Sequence, residues 1–252
     1  MQKSDTEKKL AASLTANDTA LIPYLPYLLQ DIYELGTGTE DMCDLLNQYV
    51  NPLPQQKVID FGCGKGAVCI RIAKEFGCIV KGIDIMPAFI EYAKHSAEKL
   101  GLNRLCSFKT EDINLSVLSE TGYDIAILGA VGDILGYPEE TLSKLKMTVK
   151  PGGYILIDDA YGDNTPDVYS HAQWIDAFHN TGLQLVTEKV SDIEQLKKMN
   201  AFNQQVLTKR AHELMESHPL QAHMFEQYIA DQQSECDLFE KENTCVTWLL
   251  QK

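Results

Sequence analysis

The chain has 252 residues, 44% of them hydrophobic, and a formal net charge of −14. That size and apolar fraction suit one large α/β domain with an added element, or two modest domains. The acidity disfavours a nucleic-acid partner, because surplus anions repel a phosphate backbone and no run of five Lys and Arg offsets them. No apolar run approaches the roughly 18 residues of a spanning helix, and residues 1–19 lack the apolar stretch of a signal peptide. No membrane role is expected. The seven cysteines are odd in number and show no Cys-x-x-Cys spacing, which fits a reduced, cytoplasmic setting.

Residues 1–18 read as a loosely ordered or helical lead-in. Residues 21–35 are predicted helical, with Pro23 and Pro26 suited to a first turn. The run Gly36-Thr37-Gly38-Thr39 breaks this helix. Thr39 is placed to cap another, through Met42, Leu45, Leu46 and Tyr49. Pro52 and Pro54 stop it before a first strand at 58–61. A helix over 67–76 and a second strand over 78–84 follow. Next come a helix over 88–100 stopped by Gly101, a third strand over 105–109 and a short helix over 115–120. The run 123–129 is a fourth strand, buried on both faces by its near-continuous apolarity. Pro138 opens a helix to about 149, 150–153 form a turn, and 154–158 a fifth strand. A helix over 167–181 turns Trp174, Ile175 and Phe178 inward. A sixth strand covers 183–190, two helical stretches split near Ser217-His218-Pro219 cover 192–242, and a seventh strand covers 244–250. The alternation predicts a doubly wound, mostly parallel, seven-stranded Rossmann-like sheet. The expected parts are an N-terminal helical lid (1–54), a core (55–191), a helical insert (192–243) and a last core strand (244–252).

The chemistry concentrates in Val58-Ile59-Asp60-Phe61-Gly62-Cys63-Gly64-Lys65-Gly66 and in Asp84. A strand, a glycine loop, a helix, a strand and an acid form the start of an open sheet that binds a nucleoside. The glycines leave no side chain where the backbone turns or approaches a ligand. Asp60 lies beside the place where a pyrophosphate would sit. An anion there repels a phosphate and attracts an ammonium or sulfonium. The run Asp-x-Gly-x-Gly-x-Gly resembles the first motif of the class I S-adenosylmethionine-dependent methyltransferases. The likeness extends over about 55–190, through Tyr123-Asp124 and Lys150-Pro151-Gly152-Gly153, and includes the last strand. It implies an antiparallel seventh strand inserted beside the fifth.

The resemblance implies S-adenosylmethionine as cofactor and assigns its contacts. Gly62, Gly64 and Gly66 admit the backbone approach. Asp60 acts near the methionine ammonium and Asp84 takes the ribose. Ile85 and Met86 pack on adenine, Asp112 accepts its amino group, and the N–H of Ile113 reaches the ring. Gly129 lies against the methionine tail. For each Asp the alternative work is capping the next helix.

Methyl transfer from a sulfonium is downhill, so its barrier is mainly alignment and exclusion of water. Asp133, Asp158, Asp159, Tyr161 and His171 follow the fourth and fifth strands, on the edge where a ligand binds. Of these, Asp133, Asp159 and His171 are candidate general bases; no metal site is expected. In small-molecule members of the family N-terminal helices close over the site, which makes Tyr24, Tyr27 and Tyr33 candidate lid residues. The insert suits another wall, ordinary helix packing, or a homodimer interface. The expected function is methylation of a small molecule. The alternatives are an NAD-dependent oxidoreductase, and a non-catalytic binder of the same cofactor.

Overall fold

The computed structural model describes residues 3–36, 38–163, 165 and 168–252. The expected break at Thr37 and the expected helix start at Asp167 lie outside the described residues. The chain divides into two units: Met1–Tyr33 with Ser191–Thr244, and Glu34–Val190 with Cys245–Lys252. In chain order the elements are α1 (Lys3–Ser13), a 3₁₀ turn (Thr19–Tyr24), α2 (Leu25–Leu28), α3 (Thr39–Leu45), a π turn (Leu46–Val50), β1 (Lys57–Phe61), α4 (Ala67–Phe76), β2 (Ile79–Asp84), α5 (Pro87–Lys99), β3 (Cys106–Thr110) and α6 (Ile113–Ser119). They continue with β4 (Tyr123–Gly129), a 3₁₀ turn (Gly132–Leu135), α7 (Pro138–Thr148), β5 (Val149–Tyr161), α8 (His171–Asn180), β6 (Gln184–Val190), α9 (Ile193–Ser217), α10 (Ala222–Lys241) and β7 (Thr244–Gln251).

The second unit is built on one seven-stranded sheet of order β3-β2-β1-β4-β5-β7-β6. β1 pairs in parallel with β2 and β4, β2 with β3, and β4 with β5, whereas β6 and β7 are antiparallel. The expected insertion of the last strand beside the fifth is present. Alternate residues along each strand feed opposite faces, as the pleat requires. Val58, Val80, Ile125, Ile127 and Leu156 join Met42, Leu46 and α4 in one core. Ile59, Phe61, Ile83, Ala126, Leu128 and Ile157 join Leu142, Leu145, Trp174 and Phe178 in the other. The strand order reverses between β1 and β4, the place where an open α/β sheet takes its ligand, outside the carboxyl ends of the strands.

In the helical unit α9 buries Leu207, Ala211 and Leu214, and α10 buries Phe225 and Tyr228. Asp192 caps α9 by accepting the Glu194 N–H at 2.8 Å. The split expected near Ser217-His218-Pro219 falls between α9 and α10.

Five local differences from the sequence reading stand out. Residues 21–35 are not one helix: Pro23 lies inside a 3₁₀ turn and Pro26 in the first turn of the four-residue α2. Two missing N–H groups three residues apart leave no room for a continuous α ladder. Gly38, not Thr39, occupies the cap of α3, whose run passes into the π turn and ends at Asn51 with φ 49°. Residues 34–54 fall in the sheet unit rather than with the N-terminal helices. β5 begins at Val149 rather than 154, with a register shift opposite Tyr123 and Ile125 that absorbs the expected turn. α8 starts at His171 because Ser170 and Gln173 form a reciprocal capping box.

Candidate active site

The glycine loop leaves β1 at Phe61 and is fastened to the end of β2. Gly62 N–H and Cys63 N–H both donate to the Ile83 carbonyl, at 2.8 and 3.0 Å. Gly62, Gly64 and Gly66 have φ of +78°, +51° and +78°. Side chains with a Cβ disfavour this left-handed region, so glycine is required by conformation alone. It is also required by space. A Cβ on Gly62 would stand 2.5 Å from Val131 Cγ1, and one on Gly64 3.2 Å from Leu35 Cδ1. A Cβ on Gly66 would meet Ala93 Cβ and Phe108 Cε1 at 2.9 Å. The third glycine is therefore held by packing among α4, α5 and β3, whereas the first two border Val131 and Leu35 at the crevice.

Asp84 ends β2 under this loop and is buried. Its Oδ2 accepts the Gly64 N–H and its Oδ1 the Met86 N–H, both at 2.8 Å. Burial raises its pKa, while the N–H groups of Met86, Gly64 and Ile85 oppose the rise. The acid expected at the ribose position thus also fixes the loop and the start of α5. Ile85 is half-buried and Met86 buried beside it.

Asp60 has partners within the fold. It is buried, and the Cys69 thiol donates to its Oδ2 at 3.2 Å. Burial, with a smaller push from Asp84, raises its pKa to about 7. Near neutral pH it is therefore partly protonated rather than a fixed anion. A cation beside it would favour its charged form.

Asp112 caps α6: its Oδ1 accepts the Asn114 N–H at 2.9 Å. The capping role weighed for it is therefore filled. Ile113, the first residue of α6, is buried. The preceding residue, Glu111, escaped the sequence reading. Its N–H donates to the Asp84 carbonyl at 3.0 Å, and its Oε2 is buried without a hydrogen-bond partner. A Thr-Glu-Asp run carries no signal that separates one acid from the next. Gly129 ends β4 opposite Asp158.

Beyond β4 and β5 the candidate bases separate. Asp133, in the turn Gly132–Leu135, influences Asp159, which is raised to about 6 chiefly by burial and further by Asp133. Asp158 is buried, accepts Gly38 N–H at 2.8 Å and Thr247 Oγ1–H at 2.9 Å, and is raised to about 7 chiefly by burial. His171 is engaged elsewhere: its Nε2 lies 2.8 Å from Glu188 Oε2 and its ring meets Tyr161 edge-on at 4.8 Å. Tyr169, not anticipated, donates its O–H to Asp133 Oδ2 at 3.3 Å.

The expected lid tyrosines belong to the helical unit. Tyr24 meets Phe225 and His218 edge-on at 5.1 and 5.3 Å. Tyr27 donates to Glu213 Oε2 at 2.6 Å and lies under Arg210, which pairs with Asp31 at 2.6 Å. Tyr33 ends the N-terminal segment of the same unit. Among the described residues no group of three His, Cys, Asp or Glu could hold a metal, and no helix is long and apolar enough to cross a membrane.

Residues 53–218 match the family model of the methyltransferase domain. A ribosomal protein L11 methyltransferase of Photobacterium profundum is 31% identical over 148 residues, 57% of this chain and 48% of that protein. The chain spans about half the length of the curated relatives it matches. The structure of a SAM-dependent methyltransferase from Geobacter sulfurreducens in complex with S-adenosyl-L-homocysteine superposes with a TM-score of 0.77 at 20% identity, over 90% of this chain and 97% of that one. That of YjhP from E. coli superposes with a TM-score of 0.75 at 19% identity, over 91% and 98%. With the glycine loop, the strand-end acid and the sheet order in place, the chain belongs to the methyltransferase domain family, of the class I S-adenosylmethionine-dependent type.

Proposed function

We propose that the protein transfers a methyl group from S-adenosylmethionine to a small-molecule acceptor by in-line displacement, in the crevice between β1 and β4. The observation that carries this reading is Asp84, a buried carboxylate that bridges the glycine loop and the start of α5 at the strand-order reversal. In this reading Asp84 holds the ribose, and Gly62, Gly64 and Gly66 give the loop its shape. Ile85 and Met86 flank the adenine with Ile113, and Asp112 receives its amino group. Gly129 borders the methionine tail and Asp60 its ammonium. Bound donor supplies a methyl on a sulfonium; the protein's part is to align the acceptor and keep water out.

A protein acceptor is favoured by one finding, the L11 methyltransferase relatives. Their match covers only about half of each relative, however, so what those proteins act on does not carry over to this chain. Calorimetry with S-adenosylhomocysteine and with NAD tests donor choice: binding of the first and none of the second is expected. Labelled methyl donor incubated with a metabolite extract, and separately with ribosomal proteins, tests the acceptor. Label appearing only in protein would overturn the small-molecule reading.

A further inference from the structure

Asp60, the last but one residue of β1, is held by the fold through one oxygen. Cys69, in the first turn of α4, donates its thiol to Asp60 Oδ2 at 3.2 Å, and among the described residues no group donates to Oδ1. The neighbouring strand makes room for this contact. Gly82 is the register partner of Asp60 on β2. A Cβ on Gly82 would stand 2.7 Å from Cys63 Sγ, 2.8 Å from Phe108 Cδ1 and 2.9 Å from Cys69 Sγ. Glycine weakens a strand interior, and Gly82 has no left-handed φ to require it. Space is what it supplies: two sulfurs occupy the position of its missing side chain, beside the buried carboxyl.

Three uses for these thiols can be weighed. Both lie in the core on the α4 side of the sheet and fill volume there. Filling alone does not account for a sulfur within hydrogen-bond distance of a buried acid. A second use is a redox pair, since the two thiols lie within hydrogen-bond reach of each other. A disulfide forms through a thiolate, however, and burial pushes the Cys63 thiol up to about 11 and Cys69 well above its ordinary value. Both stay protonated near neutral pH. The third use is donation. Cys69 has one proton to share, and a carboxylate oxygen accepts it better than a second sulfur does. A hydrogen bond to the charged form of an acid favours that form. At Asp60 it opposes burial, the largest influence, and the charge of Asp84. The titratable groups facing this carboxyl are thus Asp84 from the end of β2, Cys69 from α4 and Cys63 from the loop, while its register partner on β4, Ile127, is apolar.

We propose that Cys69 is a positioning residue of the methyl-donor site: its thiol holds Asp60 Oδ2, leaves Oδ1 to the ammonium of the methyl donor, and sets the pH above which the carboxyl is charged to receive it. The proposal rests on the reading above that Asp60 borders the methionine ammonium. No covalent bond is made or broken. The thiol keeps its proton throughout, and binding of the cation releases to water the proton that Asp60 carries at lower pH.

The test is calorimetry of S-adenosylhomocysteine from pH 5.5 to 8.5 on the wild type and on Cys69→Ala, Cys69→Val, Cys69→Ser and Asp60→Asn, with thermal unfolding of each to confirm that it is folded. Wild-type affinity should rise with pH and level off above about pH 7. Without the thiol that levelling point should move up by roughly one pH unit. Cys69→Ala should then bind about fivefold more weakly than the wild type at pH 7, yet within about twofold of it at pH 8.5. Cys69→Val, which fills the space without a donor, should do the same. Cys69→Ser, whose hydroxyl can donate to the same oxygen, should keep the wild-type profile. In the Asp60→Asn background Cys69→Ala should leave the profile flat. Cys69→Ala and Cys69→Val profiles that overlay the wild type, or a loss of affinity equal at every pH, would overturn the proposal. So would wild-type affinity that is flat with pH; that result removes Asp60 from the ammonium and leaves the methyl-transfer reading standing. If the wild type fails to bind S-adenosylhomocysteine at any pH, the methyl-transfer reading falls first and takes the proposal with it.

Discussion

Replacing Asp60 by Asn should stabilise the protein above neutral pH. The carboxyl is buried and its pKa is raised from 3.8 to about 7, first by burial and then by Asp84, against the Cys69 thiol that donates to it. The folded state therefore holds the proton more tightly than the unfolded chain. The stability this contributes is complete below about pH 4 and is lost as pH rises through about 7. A displacement of that size corresponds to roughly 4 kcal/mol. Taking half for relaxation around the ionised group, about 2 kcal/mol, gives a rise in Tm of roughly 4–8 °C at pH 8 for a chain of this length. Asn keeps an oxygen that can accept from Cys69, whose thiol pKa burial pushes well above its ordinary value, so that hydrogen bond survives the change. The assay is thermal unfolding of ligand-free protein from pH 5 to 8. The Asn variant should gain on the wild type from pH 5 to about 7 and level off above it. A difference in Tm that is flat with pH, or a variant less stable at pH 8, would refute the reasoning. A second readout bears on the proposed donor site. If Asp60 faces the methionine ammonium, affinity for S-adenosylhomocysteine rises from pH 6 to 8 in the wild type and stays flat in Asp60→Asn.

Asp84→Asn should weaken S-adenosylhomocysteine binding at least tenfold by calorimetry and also lower Tm. One of its two accepted N–H bonds becomes a donor facing a donor, at a cost of about 1–3 kcal/mol. Gly66→Ala and Gly101→Ala share a left-handed φ, +78° and +71°, but only the first would thrust its Cβ to 2.9 Å from Ala93 and Phe108. Denaturant unfolding should show a loss of about 1 kcal/mol for Gly101→Ala and roughly 1–3 kcal/mol more for Gly66→Ala. Equal losses would mean that Phe108 moves aside freely.

The sheet was legible in the sequence because each strand prints its own evidence. β4 spans the apolar run 123–129 as read, and α4 the helical run 67–76. These elements are decided by local pattern, and their bounds fall where glycine or an acid interrupts it. The N-terminal region was not legible in the same way. Its apolar residues have helical spacing, but two prolines remove the N–H groups that such a helix would use. The glycine loop was readable because glycine spacing records backbone conformation directly. Its charge was not, because protonation of Asp60 depends on burial among Cys69 and Asp84 from other elements. The meeting of aromatic rings beyond β4 was hidden for a similar reason. Tyr137 and Tyr169 lie more than thirty residues apart and meet only through the packing of α7 and α8 against the sheet.

Asp158 shows how a buried acid can serve the architecture. Its carboxyl joins the Gly38 N–H before α3 to Thr247 on β7, and its carbonyl accepts the Ala130 N–H after β4, at 2.9 Å. Three segments distant in sequence are fixed through one residue, which argues for a positioning role rather than proton transfer. The two substitutions Asp158→Asn and Asp158→Ala separate these roles. Asn keeps an acceptor for Gly38, and Thr247 can turn its hydroxyl to accept from the new amide. The variant also escapes ionisation of a carboxyl whose pKa burial has raised to about 7. It should equal or exceed the wild type in Tm at pH 8 and keep most of its kcat. Ala removes both acceptors and leaves the Gly38 N–H facing a gap, at a cost of about 1–3 kcal/mol. Should Asp158→Asn instead abolish turnover at unchanged Tm, Asp158 would act in the reaction rather than in the fold.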